Sequence, residues 1–311
     1  MIIGVDIGGT KVAAALVSES GEISHKTRVP MVSTGSAADG FGAVRAAIDA
    51  IFALAPEGCV TGIGICAPGP LDPKTGIVLN PPNVPCWRNF PLAAEVEAAF
   101  QVPARVDNDA NAAGLAEAIW GAGIGYRNVF YATLGTGIGA GIIFDRKIYH
   151  GRTGSAAEGG HVSIDYKGPV CGCGKRGCIE ALASGPKIAL RAQEKLAAGA
   201  PSSILTLAGS VDQVRAEHVG EAFRAGDAVA GEVLEETAFL LTVWLGNIVD
   251  LLEPDVMVVG GGVAELMSSF FPAMSASLPS WCLNQRAAEI PLVMAKYGAD
   301  AGIAGAASLC G

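Results

Sequence analysis

Apolar positions along this chain come in short blocks separated by polar, glycine-containing turns. The first block, Ile2 to Val17, is an apolar run broken by Asp6-Ile7-Gly8-Gly9-Thr10-Lys11 and resumed at Val12. That pattern predicts a strand, a tight turn and a second strand. Asn128 to Phe144 repeats the plan: Val129 to Ala132 leads into Thr133-Leu134-Gly135-Thr136-Gly137-Ile138-Gly139 and continues through Ala140 to Phe144. Two such units predict an internally duplicated chain. After the first unit, Gly40 to Leu54 has helical spacing, Val60 to Cys66 reads as a buried strand, and Leu79 to Pro91 is a proline-rich loop. Leu92 to Phe100 is helical, Ala104 to Val106 is a short strand, and Asp107 to Asn111 is a polar turn entering an apolar helix, Ala112 to Trp120. In the second half, Ser184 to Ala198 and Asp227 to Val249 are helical, Val256 to Val259 is a strand ending at Gly260-Gly261-Gly262, and a small-residue helix starts at Ala301. Alternating strands and helices predict an α/β architecture with helices packed on sheets.

The length of 311 residues allows two lobes sharing a cleft, and with half of the residues apolar and 16% charged there is material for a core in each. The formal net charge is -9 and no basic run occurs, so a nucleic-acid partner has no electrostatic footprint. The chain opens without a basic segment ahead of an apolar one, and its uncharged stretches are broken by glycine or by proline and serine. A cytoplasmic protein with no membrane partner is therefore expected. Of the eight cysteines, three crowd together at Cys171, Cys173 and Cys178, a grouping that suggests metal rather than disulfides.

Two glycine turns with adjacent threonines suit a bipartite phosphate clamp, because glycine lets backbone N–H groups approach oxygens and hydroxyls add donors. Gly8, Gly9, Thr10 and Lys11 form one side; Gly135, Thr136 and Gly137 form the other. Neither turn fits a Walker or a dinucleotide-binding pattern. Asp6 ends a buried strand, where a carboxylate is costly unless it serves a cation or donors. Magnesium with nucleotide phosphate is the candidate ligand, and capping of its own turn is the alternative. Asp107-Asn108-Asp109-Ala110-Asn111 offers carboxylates and amides that position a polyol and accept its proton, with helix capping assigned to Asp107 or Asn111 and function to Asn108 and Asp109. Glu158-Gly-Gly-His161, followed by Cys171, Cys173, Cys178 and Glu180, contains three thiolates and an imidazole, a closed tetrahedral set for structural zinc. Glu158 and Glu180 bracket that loop and can be aimed at sugar hydroxyls. Trp87 with Asn80 and Asn83 walls a sugar pocket or anchors packing, and Gly261 and Gly262 offer backbone to a nucleotide. His25, His150 and His218 receive no role.

Taken in order, Asp6-x-Gly-Gly-Thr-Lys11, Asn108-Asp-Ala-Asn111, Leu134-Gly-Thr-Gly-x-Gly139, Glu158-x-x-His161, the cysteine cluster and Gly260-Gly-Gly262 resemble the ROK family of sugar kinases, within the actin-like ATPase superfamily. The resemblance covers nearly the whole chain. It implies two actin-like, ribonuclease H-like lobes with a cleft between them: residues 1–117 completed by a C-terminal helix at about 300–311, and residues 118–299 carrying the zinc loop. It implies that Asp109 is the catalytic base, that Asn108, Glu158, His161 and Glu180 bind sugar, and that His161, Cys171, Cys173 and Cys178 hold zinc. It further implies ATP and magnesium as cofactors, a hexose as substrate, most simply glucose, and a homodimer. Fructose, mannose or an N-acetylhexosamine are alternative substrates, and a non-catalytic sugar-sensing regulator is the alternative from another class. One departure is visible: many family members carry a bulky aliphatic residue where this chain has Gly159.

Overall fold

The computed structural model describes the whole chain, Met1–Gly311. It is a mixed α/β protein built on two five-stranded sheets. The first sheet contains β1 (Ile2–Ile7), β2 (Lys11–Val17), β3 (Ile23–Pro30), β4 (Gly62–Ala67) and β7 (Ala104–Asn108) in the order β3-β2-β1-β4-β7. Its β1-β2-β3 side is antiparallel, whereas β4 and β7 run parallel to β1. A small hairpin, β5 (Leu71–Asp72) with β6 (Ile77–Val78), stands apart. The second sheet contains β8 (Asn128–Leu134), β9 (Ile138–Phe144), β10 (Lys147–Ile148), β11 (Val256–Gly260) and β12 (Leu292–Met294) in the order β10-β9-β8-β11-β12. The second order is the first one repeated: a central strand, two strands following it on one side and two later strands on the other. The duplication expected from the two glycine turns thus extends to whole sheets.

The helices are α1 (Ala37–Phe52), α2 (Leu92–Phe100), α3 (Asp109–Trp120), α4 (Glu180–Ala183), α5 (Gly185–Ala197), α6 (Ser203–Ala208), α7 (Ala216–Arg224), α8 (Ala228–Leu252), α9 (Gly262–Met267), α10 (Phe271–Ser277) and α11 (Ala301–Ser308). The chain forms two compact units, one of Met1–Tyr131, Gly141–Ala157 and Ala295–Gly311, the other of Ala132–Ala140 and Glu158–Met294.

In the first unit, β4 is buried along its whole length because helices cover both faces of the sheet. On one side, α1 presents Val44, Ala47, Ile48 and Ile51 to a core that includes Ile3, Val5, Ile63 and Ile65. Its start is set by a capping box: the Ser36 hydroxyl accepts from the Asp39 N–H at 3.2 Å, and the Asp39 carboxylate accepts from the Ser36 N–H at 2.9 Å. On the other side, α11 lies directly against β1 and β4. Gly64 permits this approach, since a Cβ there would overlap the carbonyl oxygen of Ala306. The small-residue composition of α11 is therefore a packing requirement and not a sign of weak structure. Glu117, fully buried on α3, accepts hydrogen bonds from the N–H groups of Ala122, Lys296 and Tyr297 at 2.8 to 3.0 Å and so fastens the end of α3 to the segment leading into α11.

Candidate functional site

The polar turn after β7 is sharper than its sequence suggests. Strand β7 keeps extended geometry through Asn108, and α3 starts immediately at Asp109. Asn108 is consequently the N-cap: its Oδ1 accepts from the N–H groups of Ala110 at 3.0 Å and Asn111 at 3.4 Å. This corrects the expected assignment of capping to Asp107 or Asn111. The cap falls on the last extended residue, and both of those side chains are buried in another network. Asp107 accepts from the Asn108 N–H at 2.7 Å, from Asn111 Nδ2 at 3.2 Å and, on its other oxygen, faces His150 Nε2 at 2.6 Å. Asp109 occupies the first helical position, with Oδ1 accepting from the Ala110 N–H at 2.8 Å. Its carboxylate keeps a face open to solvent. The protein around it nonetheless withholds enough water to raise its pKa, an effect that the hydrogen bonds from Ala110 and Asn108 only partly offset.

Asp6 belongs to the same unit. It sits on β1 between Ala13 and Cys66, with its carboxyl group against Gly302 of α11. It accepts no hydrogen bond from its own turn, so the capping alternative does not apply. Burial raises its pKa first and the nearby Asp109 charge raises it further, while Lys11 and Arg28 pull in the opposite direction. The turn itself is closed by Gly8 N–H to the Lys11 carbonyl at 2.9 Å, and the backbone of Asn83 lies against Gly9. Asn80 and Asn83 are exposed. Trp87 is not a pocket wall: it is fully buried, stacks on Phe90 at 5.1 Å and donates Nε1–H to the Ala37 carbonyl at 3.3 Å. Stacking and a satisfied indole make it the packing anchor of the proline-rich loop.

In the second unit, the repeated turn is closed by the Gly135 N–H to the Gly137 carbonyl at 2.9 Å. Glu180, on α4, holds it from outside, with Oε2 accepting from the Ile138 N–H at 2.9 Å. Gly261 fits the end of β11 against this turn; its φ is +93°, and a Cβ would overlap the Leu134 carbonyl oxygen, so only glycine meets both demands. Gly135, Thr136 and Gly262 line a cavity of about 800 Å³ together with Gly185, Gln193, Arg215, Glu217 and Arg224. Sequence reasoning missed the last five. They come from α5, from α7 and from the residue just ahead of it, and nothing in their local spacing marks them.

Glu158 is exposed and its carbonyl accepts from the His161 N–H at 3.0 Å, at a short 3-10 turn over Gly159–His161. Gly159 is buried, and its carbonyl accepts from Trp244 Nε1–H at 3.0 Å. His161 presents Nδ1 to Cys171 Sγ at 3.6 Å, and Cys173 and Cys178 lie 3.7 Å apart. All four ligand atoms fall within 4.8 Å of one another. Tetrahedral zinc with Zn–S bonds of ~2.3 Å requires sulfur–sulfur edges of about 3.8 Å, so the donor set fits that ion in chemistry and spacing. The crowded thiols also show what a cation would relieve. Burial and its neighbours push the Cys178 thiol up to about 12, whereas a backbone N–H from Lys175 lowers that of Cys173. Glu180 Oε1 lies 3.9 Å from His161 Nδ1, which places that carboxylate between the His161–cysteine cluster and the glycine turn.

These two sheets, with a strand-end carboxylate in one unit and a glycine-lined cavity in the other, define an α/β protein of the actin-like ATPase kind, as the sequence implies. The ROK family model matches residues 2–311, and the chain belongs to that family. It is 34% identical over 309 residues to the glucokinase of Thermotoga maritima, covering 99% of this chain and 96% of that one. It is 33% identical to the N-acetylmannosamine kinase of Shigella flexneri, covering 99% and 97%. Among solved structures, a ROK glucokinase from Streptomyces griseus in complex with glucose and AMPPNP superposes with a TM-score of 0.82 at 37% identity, covering 99% and 98%. No helix of this chain is long and apolar enough to cross a membrane.

Proposed function

We propose that this protein transfers the γ-phosphoryl group of ATP to a hexose, with glucose as the first substrate. The observation that carries the reading is Asp109: a solvent-open carboxylate at the first position of a helix, fixed by Ala110 and Asn108, in a chain about one-third identical to a glucokinase along nearly its whole length. Asp109 accepts the proton of the attacking sugar hydroxyl. Asn108 spends its oxygen on the helix cap and keeps its amide to donate to the sugar or to Asp109. Glu158, His161 and Glu180 are assigned to the remaining hydroxyls, with Asn83 beside the first glycine turn. The backbone of Gly8, Gly9, Thr10, Gly135, Thr136 and Gly137, with Lys11, holds phosphate oxygens, and Gly261 and Gly262 make room for the nucleotide.

Asp6 is assigned to magnesium; when bound, that ion neutralises phosphate charge as the leaving group departs. His161, Cys171, Cys173 and Cys178 are assigned to structural zinc, which would fix the tautomer of His161. Most of the acceleration is positioning and electrostatics. Cytoplasmic location belongs to the same reading, and a homodimer rests on family resemblance. The N-acetylmannosamine kinase relative supports an N-acetylhexosamine as the second substrate to try.

The test is hexose-dependent ADP release with Mg-ATP across hexoses and N-acetylhexosamines. Asp109→Asn lowers turnover by ~10² to 10⁴, the usual span for a general base, while sugar binding persists. Because the pKa of Asp109 is raised, activity in the wild type is lost as pH falls through that raised value, and near-normal turnover in Asp109→Asn overturns the base assignment. Sugar binding without ADP release from folded, zinc-loaded protein would favour the regulator.

A further inference from the structure

The corner that carries Asp109 is held by a residue pair for which neither the reaction nor the motifs provide a role. Asp107 is buried, one residue before the cap Asn108 and two before Asp109. Its first oxygen takes the Asn108 N–H and Asn111 Nδ2; its second meets His150 Nε2 at 2.6 Å. His150 is separated from it by 43 residues and follows β10. The same histidine anchors the loop that runs on to Ala157, its carbonyl accepting from the Ala156 N–H at 3.3 Å. The imidazole is part-exposed, whereas Asp107 is 5% exposed at its side chain, so removing His150 leaves that carboxylate oxygen buried without a partner.

We propose that His150 is a positioning residue for phosphoryl transfer: through Asp107 it holds the β7–α3 corner at the angle that presents Asp109 and Asn108 to the sugar. This rests on the sugar-kinase reading of Asp109. The network is built for such a role. Asn111, 3% exposed on the first turn of α3, donates to Asp107 with its Nδ2, so the strand end, the helix start and the β10 loop meet at one carboxylate. A small shift of that carboxylate moves the cap and the base together, and misplacement of a reacting group by about 1 Å can cost on the order of 10²-fold in rate.

The charged groups acting on His150 are Asp107 and Lys74. The hydrogen bond that His150 donates to Asp107 raises its pKa above the ordinary histidine value, and burial and, more weakly, Lys74 oppose the shift. The sign follows: the imidazolium is present at and below the ordinary histidine pKa and is lost as pH rises through the raised one. A neutral imidazole can keep its Nε2 proton on Asp107, so its deprotonation weakens the bond without breaking it: turnover has a partial alkaline limb, a fall of no more than about fivefold, opposite in direction to the limb set by Asp109.

The experiment measures kcat and KM against pH for the wild type, His150→Gln and His150→Ala. Glutamine keeps a neutral donor to Asp107, so His150→Gln retains kcat within about fivefold at neutral pH but loses the alkaline limb. His150→Ala lowers kcat about ten- to a hundredfold with both KM values within about threefold, because the lost interaction orients the base and does not bind substrate. Equal impairment of both variants, an alkaline limb retained in His150→Gln, or a wild-type profile in His150→Ala overturns the proposal. Should the alanine variant fail to fold, the glutamine profile decides alone. A wild type that releases no ADP with any sugar sinks the kinase reading instead. Imidazole titration by NMR then judges the clamp: a raised His150 pKa that returns to the ordinary value in Asp107→Asn supports it, and ordinary titration in both proteins refutes it.

Discussion

The two glycine turns share a backbone plan and differ in where their negative charge comes from. In the first, Asp6 ends the leading strand and supplies a carboxylate from within the turn's own hairpin. At the matching place in the second stands Thr133, and the turn takes its carboxylate from outside, through Glu180 on α4 bonded to the Ile138 N–H at 2.9 Å. The first turn is braced by a helix, α11, which meets Asp6 at Gly302. The second is braced by an irregular loop whose only regular pieces are a 3-10 turn and the four residues of α4, and that loop carries the cluster of His161, Cys171, Cys173 and Cys178. Duplication preserved the paired strands and their order, although the closing bond runs from Gly8 to Lys11 in the first turn and from Gly135 to Gly137 in the second. It did not preserve the charge, because charge depends on which ligand oxygen or cation each turn faces. The same contrast separates the Asp109 corner, frozen by a buried polar network, from the His161 cluster, where burial and the neighbouring sulfurs favour the protonated thiol at Cys178.

The contrast is open to direct tests. Metal removal has the largest expected effect: chelation loosens Glu158 to Ala183 while the first sheet keeps its protection in hydrogen exchange, since structural zinc contributes ~10 kcal/mol or more in small zinc domains. Uniform loss of protection in both units would erase the distinction. Next comes Asp6→Asn, expected to lower turnover by at least ~10² while raising the melting temperature of the ligand-free protein. The sign follows from the raised pKa of Asp6: the ionised form is disfavoured in the fold, so the native state loses stability as pH rises above the unfolded carboxyl value, and the amide removes that loss. A drop in melting temperature at neutral pH would show that Asp6 is structural. Glu180 separates frame from charge. Glu180→Leu leaves the Ile138 N–H unpaired and costs about 1–3 kcal/mol in chemical denaturation, whereas Glu180→Gln keeps an acceptor and stays within about 1 kcal/mol. Equal losses in the two variants would place the stabilisation in the charge. The smallest effect is at Ala157, whose φ of +64° precedes the knuckle; Ala157→Gly relieves that strain and stabilises by about 0.5–1 kcal/mol.

Much of the frame was legible because its signals are local. Both hairpins, the strand at Val60, and the helices at Gly40, Leu92, Ser184 and Asp227 follow from runs and periods of apolar residues, and the ligand spacing of the knuckle lies within eighteen positions of chain, 161–178. Local signals also misled. Any of the four polar residues Asp107, Asn108, Asp109 and Asn111 can cap a helix, and only the extent of β7 decides which one is last in the strand. Trp87 offered an aromatic wall in a proline-rich loop, but its ring completes the core.

Sequence by itself determined the α/β class, the repeated turn and the family, and it nominated residues for a phosphate, a proton and a metal, because those properties reside in side-chain chemistry and short spacings. Tertiary structure alone decided that His150 meets Asp107, that Glu180 closes the second turn, that Arg215 and Gln193 line the cavity, and that α11 returns to cover β1. Each of these joins residues tens to hundreds of positions apart. Their partners are selected by the packing of whole elements, and no local pattern along the chain records that selection.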